Sequence, residues 1–137
     1  MVRAKRNRES VNARADKSKK EPMDSPSPDD WPESLDALVA APQHHSLIFQ
    51  TERVRVLQTL IPPGETTAVH THRWPSVIHV VSASDFIRRD ANGKILVDTR
   101  TTRCSSPEFL WSEPLPPHSV ENVGNSEIRL IMVELKD

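Results

Sequence analysis

Breaks in the second half of the chain constrain its fold more than any other feature. Pro62-Pro63-Gly64, Asp90-Ala91-Asn92-Gly93, the prolines at 107, 114, 116 and 117, and Gly124-Asn125 leave no room for a long helix. The runs between them are short and rich in Val, Ile and Thr. Val54 and Val56 alternate with Arg53 and Arg55, the period-two pattern of a half-buried strand with its arginines turned outward. Further runs cover 66–72, 76–89, 94–100, 108–112, 118–123 and 128–135, with a hairpin expected at Asn92-Gly93, where both residues tolerate positive φ. Short strands joined by Pro/Gly turns predict an all-β antiparallel sandwich or barrel.

Upstream the pattern changes twice. Residues 31–41 predict one short helix, with Pro32 at its first position, Leu35, Leu38 and Val39 on one face, and Pro42 as its stop. The first 20 residues hold eight Lys/Arg against Glu9 and Asp16, while the rest holds ten basic and 17 acidic side chains. The net charge of −1 therefore conceals a basic tail and an acidic body. With Pro22, Pro26 and Pro28 among Ser and Asp, residues 1–30 read as a disordered tail and 31–137 as the folded domain. That tail also accounts for an apolar fraction of only 36%.

Several classes are excluded. No apolar run approaches the ~20 residues of a membrane-spanning helix, and the basic start is not followed by the apolar segment of a secretory signal. The lone Cys104 rules out an internal disulfide and a cysteine-based zinc site, and it fits a reducing cytoplasm. No aromatic residue interleaves the basic tail, so base stacking has nothing to use, and nucleic acid is not an expected partner.

The six histidines hold the chemical signal. His70 and His72 are two apart on an expected strand, so both side chains leave the same face. Paired neutral imidazoles are half of a site for Fe, Zn, Ni or Cu, although two histidines on a solvated face give the same pattern. His118 follows Pro114, Pro116 and Pro117, which fix the backbone entering its strand. His79 lies three positions beyond Ser76, so strand parity turns it outward. His44 and His45 precede the first strand and read as surface or packing residues, with a place for one of them on the pocket wall as the lesser alternative.

Two segments carry a family resemblance. Residues 63–72 (Pro-Gly-Glu-Thr-Thr-Ala-Val-His-Thr-His) resemble the first cupin motif, and residues 117–124 (Pro-His-Ser-Val-Glu-Asn-Val-Gly) resemble the second. Residues 41–137 as a whole are similar to small single-domain bacterial cupins, in the Pro-Gln-His at 42–44, the Val-Arg-Val at 54–56 and the Val-Glu-Leu-Lys at 133–136. The resemblance implies a jelly-roll β-barrel whose mouth holds a divalent metal such as Fe, Zn, Mn or Ni, with His70, His72 and His118 as ligands. It also implies departures. Ser76 and Val77 stand where the first motif has its glutamate, and Ala83 and Leu115 stand where glycines are usual. The implied centre is thus a three-histidine variant.

Ser76 is expected beside the metal or on the substrate, in the space the glutamate vacates. Trp74, Glu113 and Asn122 are further candidates for the pocket, Glu113 as a fourth ligand or a base, but Trp74 and Trp111 read first as rim or packing residues, Glu113 as solvent-exposed near the proline run, and Asn122 as fixing the following turn. Arg53 and Arg88 could meet an anionic substrate, but as strand arginines they are expected to face solvent or a partner. Two functions follow: a metal-dependent dioxygenase or isomerase acting on a small chelating acid or diketone, or a non-catalytic small-molecule sensor. A homodimer is the expected assembly.

Overall fold

The structure, a computed structural model, describes residues 27–102 and 107–136. The basic tail up to residue 26 and Cys104 lie outside the described residues. Among those described, nine strands form two antiparallel sheets, so the all-β expectation holds. One sheet has the order β1 (His45–Gln50), β2 (Val54–Ile61), β9 (Ile128–Leu135), β4 (Ser76–Ser82), β7 (Phe109–Ser112). The other runs β3 (His70–His72), β8 (Leu115–Asn122), β5 (Phe86–Asp90), β6 (Ile95–Asp98).

The long run at 76–89 serves both sheets. β4 pairs with β9 and β7, residues 83–85 cross over, and β5 then pairs with β8 and β6. Gly124 faces this crossover, and a Cβ there would stand 2.8 Å from the Asp85 nitrogen, so the close approach needs glycine. The Asn92-Gly93 hairpin forms as expected, with Gly93 at φ 88°. Asp90 Oδ1 accepts from the backbone N–H groups of Asn92 and Lys94 and closes the turn.

Two expectations about local structure need correction. The run at 66–72 is strand only at His70–His72, with Thr66 making an isolated bridge to Glu121. Residues 31–41 are not one helix: a 3-10 turn at Glu33–Leu35 is followed by a single α turn, α1 (Ala37–Ala40). Asp36 between them is extended, at φ −56° and ψ 143°. There its carboxylate accepts from Leu38 N, its backbone bridges to Thr71, and its side chain reaches Arg55, contacts that a continuous helix forbids. A second 3-10 turn, Pro28–Asp30, lies within the segment read as tail.

Arg55 does not face outward. It is 7% exposed, sharing the inner face of β2 with Leu57, Thr59 and Ile61. Parity read from the two valines gave the opposite face, because the sequence alone does not reveal the carboxylates that make a buried arginine tolerable. The apolar core sits beside it, formed by Ala37, Leu57, Ile78 and Met132, with Leu38, Val80 and Leu130 against them.

Asn122 closes the end of the barrel away from this core. Fully buried, it donates through Nδ2 to the carbonyls of Ile61 and Ser126, both at 2.8 Å, and accepts from Gly124 N at 3.0 Å. Asn122→Ala removes the partner of three backbone groups, the buried Ile61 carbonyl and the part-buried Ser126 carbonyl and Gly124 N–H. The substitution is expected to cost about 2–4 kcal/mol, read as a lower urea midpoint with an unchanged slope.

Candidate metal centre

Four histidines meet inside the barrel, and each arrives by a different local route. β3 pairs with β8 so that His70 lies directly opposite His118, and their rings are 4.4 Å apart. An irregularity follows, because His72 pairs with Leu115. His70 and His72 share a face as strand parity requires, with rings 5.0 Å apart and nearly perpendicular at 88°. His45 comes from the start of β1, where it pairs with Thr59, and its ring lies 4.5 Å from His70 and 5.4 Å from His72. One ring nitrogen from each of His45, His70 and His72 falls within 4.8 Å of the others, and His118 flanks this trio against His70. All four are at least 95% buried.

Hydrogen bonds set their tautomers. His45 Nδ1 donates to Ala41 O at 3.0 Å, His70 Nδ1 to Ala68 O at 2.8 Å and His118 Nδ1 to Pro116 O at 2.7 Å. A carbonyl only accepts, so each of these nitrogens carries its proton. His72 Nδ1 lies 3.0 Å from Glu134 Oε2, a carboxylate acceptor that selects the same tautomer. Nε2 therefore keeps its lone pair on all four rings. Among the described residues nothing hydrogen-bonds those four atoms, and all four side chains line the central cavity.

Burial keeps the imidazoles neutral. Loss of solvation, helped by the repulsion a second protonated ring at His70 would exert, pushes His72 down to about 3 and His118 to about 2. The same two causes, with His72 added, take His45 to about 3, and desolvation lowers His70. Four neutral imidazoles with free Nε2 lone pairs are the donor set that a divalent transition metal takes, so the residues present fit such an ion.

Behind His72 stands a chain of buried charge. Glu134, fully buried on β9, accepts from His72 through one oxygen and from Arg55 Nε through the other at 2.7 Å. Arg55 then grips Asp36 with two hydrogen bonds of 3.0 and 2.8 Å. Desolvation pushes Asp36 upward, but Arg55 and the Leu38 N–H outweigh it and leave it below its ordinary value. For Glu134 desolvation wins, and its carboxyl lies above its ordinary value.

No protein-family profile matches the chain. Its sequence is 20% identical over 87 residues to an uncharacterized protein of Methanocaldococcus jannaschii, spanning 64% of this chain and 64% of that one. The chain thus covers less than two thirds of this curated relative. Among solved structures, a cupin domain from Bordetella pertussis matches with a TM-score of 0.55 at 19% identity, covering 68% of this chain and 92% of that chain. The chain has the cupin fold. An RmlC-like cupin with a double-stranded β-helix from M. jannaschii matches with a TM-score of 0.49 at 10% identity, over 66% of this chain and 77% of that one.

The cupin barrel places the other singled-out residues unevenly. Ser76 is buried on the inner face of β4, opposite Glu134 and Ser112, but does not line the cavity. Trp74 lies outside the barrel, with the cations of Arg73, Arg55 and Lys136 4.6–5.8 Å from its ring. Glu113 is exposed and accepts from Trp111 Nε1. Asn122 ties the turn. His79 faces outward beside Glu108 and stacks on Phe109, while His44 pairs with Glu65 at 2.8 Å.

Two members of the centre were missed. His45 was read as packing because it sits at the first residue of a strand, where parity has no preceding register. Glu134 carried a usable signal: it shares parity with Ile128, Leu130 and Met132, so a strand buried through them carries it inward.

Two predictions follow from this arrangement. Glu134→Gln weakens the hold on the His72 tautomer and is expected to lower zinc affinity about 10–100-fold, measured by chelator competition. In chelator-treated protein the histidines stay neutral when folded but protonate near 6.5 when unfolded. The unfolded chain thus binds more protons at acidic pH, and stability falls as pH drops from about 6.5 toward about 3. His45→Gln should flatten that slope in denaturant melts.

Proposed function

We propose that this cupin barrel holds a divalent transition-metal ion through the Nε2 atoms of His45, His70, His72 and His118 and is an enzyme acting on a small chelating molecule. The observation that carries the reading is the common tautomer: four separate acceptors hold Nδ1–H and leave four lone pairs toward one cavity. When bound, such an ion supplies Lewis acidity and open positions for an oxygen-donor chelate, the requirement shared by dioxygenase and isomerase chemistry on acids and diketones.

The chain's own residues supply the remainder. The cavity is about 610 Å³, within the range of small-molecule sites. Ile61, Ile78, Val80, Leu110 and Met132 give it an apolar wall that displaces water around a bound ligand. Glu134 and the three backbone carbonyls hold the rings, so the donor atoms need little rearrangement on binding.

One observation favours the alternative, a non-catalytic small-molecule-binding protein. Among the described lining residues Asp85 is the only carboxylate, and its Oδ1 already accepts from the Thr99 hydroxyl at 2.8 Å. Among the described lining residues, no acid–base side chain stands in the cavity besides the histidines and this already hydrogen-bonded Asp85.

A homodimer belongs to the same proposal. β1, an edge strand, exposes the consecutive Leu47, Ile48 and Phe49, a surface suited to a second copy. No helix among the described residues is long and apolar enough to cross a membrane. We assign the protein to the cytoplasm, where a single unpaired cysteine is compatible with the redox state.

Elemental analysis of protein purified without added metal tests the centre. About one divalent ion per chain is expected, falling to a small fraction of that in His72→Ala. Unchanged metal in that variant overturns the assignment. An oxygen electrode and a product assay, with a panel of β-diketones and hydroxy acids, then separate enzyme from binding protein. Turnover supports the enzyme, and tight binding with no reaction across the panel supports the alternative.

A further inference from the structure

Among the described residues, Arg88 stands in the cavity with no hydrogen-bond or ion-pair partner for its side chain. It lies on β5 opposite Val120, and both side chains line the lumen together with His118, two residues from Val120 on β8. Same-face neighbours offset by two positions are roughly 7–8 Å apart at Cα, so the guanidinium reaches the space in front of the histidines. Its charge weighs on His70, His72 and His118.

Its surroundings are unusual for a partly buried arginine. Arg88 Nε is buried and has no hydrogen-bond partner. Among the described residues no carboxylate lies within ion-pair range of it, and desolvation lowers its pKa with nothing opposing. The adjacent Arg89, on the outer face, pairs with Glu121 at 2.9 Å, and Arg55 has both Asp36 and Glu134. An uncompensated cation in an apolar cavity is costly to the fold. Beside it are neutral imidazoles, which do nothing to balance either this charge or that of a divalent ion.

We propose that Arg88 is the substrate-anchoring group of the cavity and that its ligand is an anionic chelator, with a carboxylate on the guanidinium and a separate oxygen-donor pair directed at the histidine centre. The proposal rests on the metal reading above and narrows its substrate class. Guanidinium and carboxylate match as a planar two-hydrogen-bond fork, which the unpartnered nitrogens supply. A neutral diketone of similar size leaves Arg88 unpaired and loses that pairing. The carboxylate must lie a few bonds beyond the chelating oxygens to span from the histidines to Arg88.

Succinylacetone (4,6-dioxoheptanoate) has this form, and its methyl ester differs only in lacking the charge. Zinc-loaded protein is titrated calorimetrically with both, after its zinc content is measured. Wild-type protein is expected to favour the acid by about tenfold or more. Arg88→Gln should bind acid and ester alike while retaining the wild-type zinc content, and Arg88→Lys should keep part of the preference. Equal binding of acid and ester by wild-type protein overturns the proposal, as does an undiminished preference in Arg88→Gln. Failure of wild-type protein to hold zinc refutes the metal centre instead. The acid–ester comparison in metal-free protein then decides on Arg88 alone: a preference for the acid supports it, and no preference overturns it. Should Arg88→Gln not fold, the wild-type and Arg88→Lys comparisons still decide.

Discussion

The interior of this barrel is organised around one fully buried carboxylate. Glu134 has no solvent, so both of its oxygens must be satisfied by protein donors, and they are: one by Arg55, the other by His72. Removing an ion of this kind from water costs several kcal/mol, and only well-aligned partners offset it. Arg55 brings a second requirement, since its remaining nitrogens are held by Asp36. Asp36 in turn keeps the backbone extended between two short turns and pins the N-terminal segment against Thr71. The orientation of one cavity-facing ring is thus coupled through a line of charges to a segment nearly one hundred positions away from Glu134 in sequence.

The other three rings are held more cheaply. His70 and His118 donate to the carbonyl two residues earlier, and His45 donates to the carbonyl four residues earlier. These are local contacts, so the strand geometry that carries the histidine also supplies the acceptor. The result is a donor set with no net charge, in a cavity whose one described cation is Arg88. Where the usual cupin has a ligating glutamate, this chain has Ser76, and its nearby carboxylate, Glu134, is occupied outside the ligand positions. The proposed centre has a neutral imidazole, His45, beside His70 and His72 and no carboxylate aimed at the same space. It leaves charge neutralisation to whatever enters the lumen, and this is why an anionic ligand suits it.

Much of the architecture was legible because the pattern is local. Proline and glycine breaks marked the turns, and 128–135 was delimited as observed, since it is an apolar-rich run bounded by Gly124-Asn125 and Lys136. The grouping of His70, His72 and His118 was readable from two short motifs whose order implied the barrel. What failed to show was long-range. Arg55 looked outward because its partners lie 19 and 79 positions away. Asp36 broke the expected helix for the same reason. His45 belongs to the centre only through the pairing of β1 with β2, and a strand's first residue carries no parity of its own. Glu134 is the instructive case, because an acidic residue in phase with Met132, Leu130 and Ile128 has to be buried.

The central claim is that four imidazoles present Nε2, and only Nε2, to a single divalent ion. Nitrogen-15 NMR of the histidine rings during zinc titration tests it most directly, because it separates the two ring nitrogens and the six histidines. The account predicts Nδ1–H tautomers for His45, His70, His72 and His118 before zinc is added. Their Nε2 resonances then move together up to about one equivalent, while those of His44 and His79 stay in place. Zinc-dependent shifts at Nδ1, or Nε2 signals of the four that do not respond, contradict it.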